Sequence, residues 1–203
     1  MKDLKGRKAD ITMCIDDHIR YSEENLKNQL EEFFNRKYPA GNLVSHGLDH
    51  HRRVWEFAKE LLHCTSFETD QQFVSSLMIA CYLHDIGMAV DAGERHGLQG
   101  RKYCEEFLAE TGICPADNTD LLEAVENHDN KEYNRPAGNN RILNILSAAD
   151  DLDAFGEEGI ARYLEIYRMR GIPENDISES ITGNAQKRFG NFERLFSGHP
   201  HLV

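Results

Sequence analysis

The chain has 203 residues, of which 40% are hydrophobic, a size that suits one well-buried core and is short for two full domains. Its 35 acidic residues outnumber the 23 basic ones, and the net charge of −12 argues against a surface that binds a nucleic-acid polymer or an anionic membrane. A small phosphorylated molecule stays compatible with this charge if metal ions neutralise its phosphate.

The N-terminal sequence and the cysteines indicate the compartment. The sequence Met-Lys-Asp-Leu-Lys-Gly-Arg-Lys lacks the apolar stretch of a signal peptide, and no run approaches the ~18 apolar residues that span a bilayer. The five cysteines form no Cys-x-x-Cys pair and are odd in number, which fits a reducing environment without disulfides. We therefore expect a cytoplasmic protein.

The spacing of apolar residues predicts helices along the whole chain. Four helices in the first half begin near Ser22, Asp49, Thr69 and His96. The third is the most apolar and is predicted to be central, ending at about His84 with Gly87 as the terminating glycine. A fifth helix leads to His128, a sixth to Asp150, and two more are predicted near residues 157–170 and 184–196.

No segment alternates apolar and polar residues between hairpin turns, so the sequence predicts an all-α fold. The stretch from Asn130 to Asn140 is rich in Asn and Gly and is predicted to be a loop. No repeat, low-complexity tract or linker divides the chain. We predict a single-domain helical bundle over residues 1–203.

Two strong metal ligands, His84 and Asp85, stand at the end of the most apolar helix, where an uncompensated carboxylate is costly. His128 and Asp150 each continue the apolar stripe of their own helix. Taken singly, His128 could be a hydrogen-bonded core or loop histidine, and Asp150 could cap the turn before Asp153. Together they predict a metal site.

Three ordered motifs carry a family resemblance: Ser45-His-Gly-Leu-Asp-His-His-Arg-Arg-Val54, Leu83-His-Asp-Ile-Gly87 and Ala148-Ala-Asp-Asp-Leu-Asp153. They resemble, in order, the signatures of the HD-domain superfamily of metal-dependent phosphohydrolases. The resemblance spans about residues 45–163, with 1–44 as an N-terminal helix and 164–203 as a C-terminal helical extension. It implies an HD-type helical domain in which His50, His84, Asp85 and Asp150 bind a divalent metal.

Two imidazoles and two carboxylates suit Mn, Fe, Co, Ni or Zn, and they leave positions open for a water molecule that attacks phosphorus. Whether one ion or two are bound depends on His96 and His128. In superfamily members with two ions, two further histidines bind the second ion and the paired aspartate, here Asp85, bridges both. In the one-ion alternative, His96 and His128 line the pocket and contact phosphate or act as a general acid. In a third alternative, His96 is merely an exposed helix start.

The resemblance implies a hydrolase that cleaves a phosphate ester or anhydride of a small molecule, with a nucleotide as our first choice of substrate. We assign catalytic roles to Asp85, His96, His128 and Arg53. Lys131 and Arg162 are the predicted substrate-binding cations. Two alternatives stay open, a di-iron oxygenase with the same ligands and a non-catalytic metal-binding module, and a homodimer is the assembly we consider.

Two further residues near the motifs have open roles. Asp49 is predicted either to cap the second helix or to orient His50 through its other ring nitrogen. His51 points about 100° away from His50 on a helix, and we expect it to lie behind the site or to be exposed to solvent.

Overall fold

The computed structural model describes residues 13–38, 43–65, 67–91, 93, 95–129 and 138–196. Within these residues all regular structure is helical, with no β-strand, which confirms the all-α prediction. The described helices include none with the length and apolar character that a membrane span requires. Lys131 lies outside the described residues, as does most of the predicted 130–140 loop.

Eight helices follow one another in the described part of the chain: α1 Ile15–Lys37, α2 Leu48–Cys64, α3 Gln71–Leu83, α4 His96–Glu110, α5 Thr119–Asn127, α6 Arg141–Leu152, α7 Gly156–Met169 and α8 Glu174–Phe196. Three short 3-10 turns lie between them, at Val44–His46, Ile86–Ala89 and Pro115–Asp117. The helices predicted near Asp49, Thr69 and His96 begin within two residues of these positions.

The apolar helix α3 lies at the centre, as its composition predicts. It packs against α1, α2, α4, α5 and α6. Nine consecutive or near-consecutive side chains from Val74 to Leu83 are buried, because this helix is apolar on all its faces. Asp70 begins the helix by accepting a hydrogen bond from the backbone N–H of Phe73. A buried helix with apolar residues all round leaves only its ends for polar groups.

Two helices begin earlier than the sequence predicts. Ser22 is not an N-cap: α1 begins at Ile15, and the Ser22 hydroxyl lies inside the helix, donating to the carbonyl of His18. Helix α8 begins at Glu174, ten residues before its predicted start. The first turns of α8 are polar, and apolar residues recur at helical spacing only toward Phe196. The sequence therefore predicts a later start.

Helices α7 and α8 form a layer beside the main core. A second apolar cluster holds them together: Met88, Ala154, Tyr163, Ile166, Tyr167 and Ile177. Helix α8 also packs on α6, and α7 packs on the turn Val44–His46. The backbone N–H groups of Val44 and Ser45 donate to the carboxylate of Glu165 in α7. This layer therefore covers one end of α6 and the entry to α2.

Close backbone contacts bring α4 against the end of α3. A Cβ atom at Gly87 would lie 2.0 Å from the carbonyl oxygen of His96, and one at Gly97 would lie 2.2 Å from that of Glu126. Gly87 therefore does not end α3, which stops at Leu83; it lets the turn after α3 touch the first turn of α4.

We expect Gly87→Ala to lower the free energy of unfolding by about 1–3 kcal/mol, because the new methyl group must displace α4. The matched control is Gly183→Ala inside α8, where nothing lies within 4 Å of the added Cβ. That change is expected to stabilise the protein by about 0.5–1 kcal/mol. Urea unfolding of both variants measures the difference, and equal effects would contradict the close packing at Gly87.

Candidate metal centre

Six predicted site residues converge at one end of the bundle, and all are buried. They come from five places in the chain, each at or near a helix terminus: His50, His84 with Asp85, His96, His128 and Asp150. The polar groups meet there because the apolar helices leave only their ends for them.

The first group consists of His50, His84, Asp85 and Asp150. Asp85 Oδ2 lies 3.5 Å from His50 Nε2 and 3.4 Å from His84 Nε2. Asp150 Oδ1 lies 3.7 Å from His50 Nε2 and 3.9 Å from His84 Nε2. Ligand atoms around one ion with bonds of about 2.1 Å are ~3–4 Å apart. This group could therefore hold one divalent ion.

The second group uses the other oxygen of the same carboxylate. Asp85 Oδ1 lies 2.9 Å from His128 Nε2 and 3.6 Å from His96 Nε2. These three residues form a second set that could hold an ion. Asp85 is thus common to both groups and turns one oxygen to each.

The four imidazole rings have one orientation in common: Nδ1 faces an acceptor. Nδ1 of His84, His96 and His128 lies within 3.0 Å of the carbonyl oxygens of Cys81, Gly93 and Val125, respectively. Nδ1 of His50 lies 2.7 Å from Asp153 Oδ2. A carbonyl or carboxylate only accepts, so each Nδ1 carries the proton and each Nε2 offers its lone pair.

These lone pairs face one another at short distances. His50 Nε2 and His84 Nε2 are 3.1 Å apart, and His96 Nε2 and His128 Nε2 are 3.3 Å apart. In this tautomer neither nitrogen of a pair has a proton to donate, so a shared cation is what would stabilise the approach. The donor set therefore fits divalent metal ions.

Asp85 is buried among these rings. Burial would raise the pKa of its carboxyl, but the surrounding imidazoles of His84, His128 and His50 outweigh it and hold the pKa well below the usual range. Asp85 is therefore a carboxylate, the form that binds a metal.

Behind His50 lies a buried carboxylate, Asp153, that the sequence analysis considered only as part of a turn. It accepts hydrogen bonds from His50 Nδ1, from Arg162 Nη1 at 3.0 Å and from Arg53 Nε at 2.6 Å. Burial raises the pKa of Asp153, but these partners lower it by more. Its spacing of three from Asp150 places both on one helix face, a signal that could have revealed it.

Two arginines approach Asp150. Arg162 Nη2 donates to Asp150 Oδ1 and to His50 Nε2, both at 3.2 Å. Arg188 Nη1 donates to Asp150 Oδ2 at 3.0 Å and to Asp151 Oδ1 at 2.7 Å. Asn191 donates to the other oxygen of Asp151. Arg188 lies outside the three motifs, and the sequence favours a surface or ion-pair role for it.

A cavity of about 310 Å³ opens directly on the metal-ligand groups. Asp85, His96, His128 and Asp150 form its polar wall, together with Arg162 and Arg188. The lining also includes the apolar and aromatic side chains of Met88, Tyr163, Ile166 and Tyr167, from the turn after α3 and from α7. A small molecule could enter with one charged end toward the ligands.

Other predicted residues lie differently. Arg53 does not line the cavity; its guanidinium is 34% exposed and pairs with Asp153. Asp49 neither caps α2 nor orients His50: its side chain is 85% exposed and bonds Arg52, while Gly47 stands at the N-cap. The open question on Asp49 is therefore decided against both roles.

His51 is fully buried rather than exposed to solvent. Its ring lies 4.8 Å from that of His84, measured between centroids, and its Nδ1 donates to the carbonyl of Cys81. Burial holds its pKa well below the usual range, so this ring is neutral. His46 lines the cavity, and its Nε2 is 3.9 Å from Asp85 Oδ2. Burial lowers the pKa of His46 to about 3.

Comparison with known proteins agrees with this geometry. The chain is similar over 81% of its length to 84% of a predicted HD superfamily hydrolase from an uncultured Thermotogales bacterium, known from its crystal structure, with 25% identity and a TM-score of 0.53. No curated protein matches the chain. The neighbour and the metal-ligand groups support a metal-dependent hydrolase in general. The family model of the HD domain matches residues 47–154, and the chain therefore belongs to the HD domain family.

Proposed function

We propose that the chain is a metal-dependent phosphohydrolase that holds two divalent ions and cleaves a phosphate ester or anhydride of a small molecule, with a nucleotide as the substrate class. The observation that carries the proposal is the shared carboxylate of Asp85, which turns one oxygen to each ligand group beside a cavity lined by arginines. The two-ion arrangement follows from the second group, His96 and His128, whose Nε2 atoms face Asp85 Oδ1.

The bound ions would supply a Lewis acid and lower the pKa of a coordinated water. His50, His84 and Asp150 would hold one ion and His96 and His128 the other, with Asp85 bridging them. The Nδ1 hydrogen bonds fix the orientation of each ring, so that its Nε2 lone pair already points at the ion site. No further rotational freedom of the ring would be lost when an ion binds. The ligands are thus oriented before any substrate enters.

Arg162 and Arg188 would bind the phosphate. Both line the cavity, and both lie beside Asp150, at the edge of the first ligand group. A guanidinium presents a planar fork of donors that matches phosphate oxygens and stabilises negative charge that develops on them. For Arg53 we propose an indirect role: it holds Asp153, which in turn orients His50.

The apolar and aromatic part of the lining supports a substrate with an apolar or aromatic part. Tyr163, Ile166 and Tyr167 belong to it, and the Tyr167 hydroxyl accepts a hydrogen bond from Asn184. A volume of about 310 Å³ is near the small end of ligand pockets, which range over ~300–1,000 Å³, and suits one small molecule rather than a polymer. A nucleotide has both the phosphate and the ring that this lining would receive.

The experiment is a screen of nucleotides and phosphate esters with Mn²⁺, Ni²⁺, Co²⁺ or Mg²⁺, read out as released phosphate or pyrophosphate. We expect metal-dependent release from at least one nucleotide, abolished by EDTA and restored by metal. Metal-loaded protein that releases nothing across the panel would contradict the proposal. Two bound irons with substrate-dependent oxygen consumption would instead establish the oxygenase.

Asp85→Ala is expected to abolish metal binding and hydrolysis together, because this carboxylate belongs to both ligand groups. Mass-spectrometric metal analysis of the purified variant measures the first effect and the phosphate assay the second. Unchanged metal content would overturn the assignment of the whole site.

His96→Ala is expected to halve the metal content, since His96 belongs only to the second group. His50→Ala should affect the first group instead. If the wild-type protein holds one ion and His96→Ala retains it, the site holds its metal without the second group and the one-ion alternative stands.

Asp153→Asn is expected to weaken binding of the first ion by about 10- to 100-fold, because the acceptor of His50 Nδ1 loses its negative charge and one of its two acceptor oxygens. Asp49→Asn is the control: it removes the carboxylate next to His50 in the sequence, which points to solvent. Calorimetric Mn²⁺ titrations compare the two, with urea unfolding in parallel to detect loss of the native fold. Equal affinities in both variants would remove Asp153 from this role.

A further inference from the structure

We propose that Asp129 is a further ligand of the second ion and completes the group formed by Asp85, His96 and His128. The inference rests on the proposed two-ion site. Asp129 follows His128 directly, two positions beyond the end of α5, and it lines the same cavity. Its Oδ2 lies 3.8 Å from His96 Nε2, a separation typical of two atoms that ligate one ion.

The side chain has the freedom that coordination requires. Its carboxylate is 52% exposed, in contrast to the buried Asp85 and Asp150, so it can turn toward His96 without displacing core residues. His128 is fixed from behind by its Nδ1 hydrogen bond to Val125, which also fixes the turn that carries Asp129. A single turn thus presents an imidazole and a carboxylate to the same point.

Charge gives an independent argument. The first group has a carboxylate of its own, Asp150, in addition to the shared Asp85, whereas the second group has two imidazoles besides Asp85 and no carboxylate of its own. A divalent ion in the second group would be balanced only by its share of the negative charge of Asp85, which belongs to both groups. Arg162 and Arg188 add positive charge beside Asp150. Asp129 supplies a negative charge at the second group, and carboxylate oxygen is a good ligand for Mn²⁺.

The test compares Mn²⁺ binding to wild-type protein, Asp129→Asn and His128→Ala, by calorimetry and by mass-spectrometric metal analysis after gel filtration. Asp129→Asn keeps the size of the side chain and removes its charge. Glu126→Gln is the matched control, because Glu126 lies three residues before Asp129 and pairs with Arg101 instead of lining the cavity. It removes the same charge from the same helix end.

We expect two Mn²⁺ per chain in the wild-type protein and in Glu126→Gln. Asp129→Asn should keep the first ion with unchanged affinity and bind the second at least 10-fold more weakly. Two ions with wild-type affinities in Asp129→Asn, while His128→Ala loses one, would overturn this inference and leave the two-ion proposal standing. A single ion in the wild-type protein would overturn both.

Discussion

The carboxylate of Asp85 is the interaction on which the site depends. A buried ion of this kind costs several kcal/mol unless neighbouring groups compensate it. Here the four imidazoles of the ligand groups face it, two on each oxygen. The tautomer fixed at every Nδ1 turns lone pairs toward Asp85 rather than protons, so the surroundings favour cations. Without bound cations, the Nε2 lone pairs and the Asp85 carboxylate repel one another, and the rest of the fold holds them in place.

The helices make this concentration of ligands tolerable. Apolar α3 fills the core, and its chain emerges at the bundle end as His84 and Asp85. Gly87 and Gly97 allow α4 and α5 to approach until His96 and His128 reach the same carboxylate. Function and packing are coupled here, since the backbone contacts that stabilise the bundle also set the distances between ligands.

Much of this could be predicted from the sequence. Apolar spacing predicts the helices that carry the motifs, and the three ordered motifs predict the first ligand group, whereas His96 and His128 lie outside them. The contacts of Asp153 and Arg188 could not be predicted, because they run across helices: Asp153 with Arg53 and Arg162, and Arg188 with Asp150. Asp49 has neither of the two roles predicted for it, since sequence adjacency to His50 does not determine side-chain direction on a helix. The single domain, the homodimer and the cytoplasmic location stay predictions.

The attachment of α8 has a consequence for how such a protein can diversify. The family model ends at residue 154, whereas half of the residues that line the cavity lie beyond it, in or directly after α7 and in α8. Helix α8 is attached to Asp150 and Asp151 by Arg188 and Asn191, whereas Asn184 lines the cavity and bonds Tyr167. Substitutions at Asn184 would reshape the cavity while the ligand groups keep their contacts. In the proposed hydrolase, the choice of substrate would then vary without a change of the metal ligands.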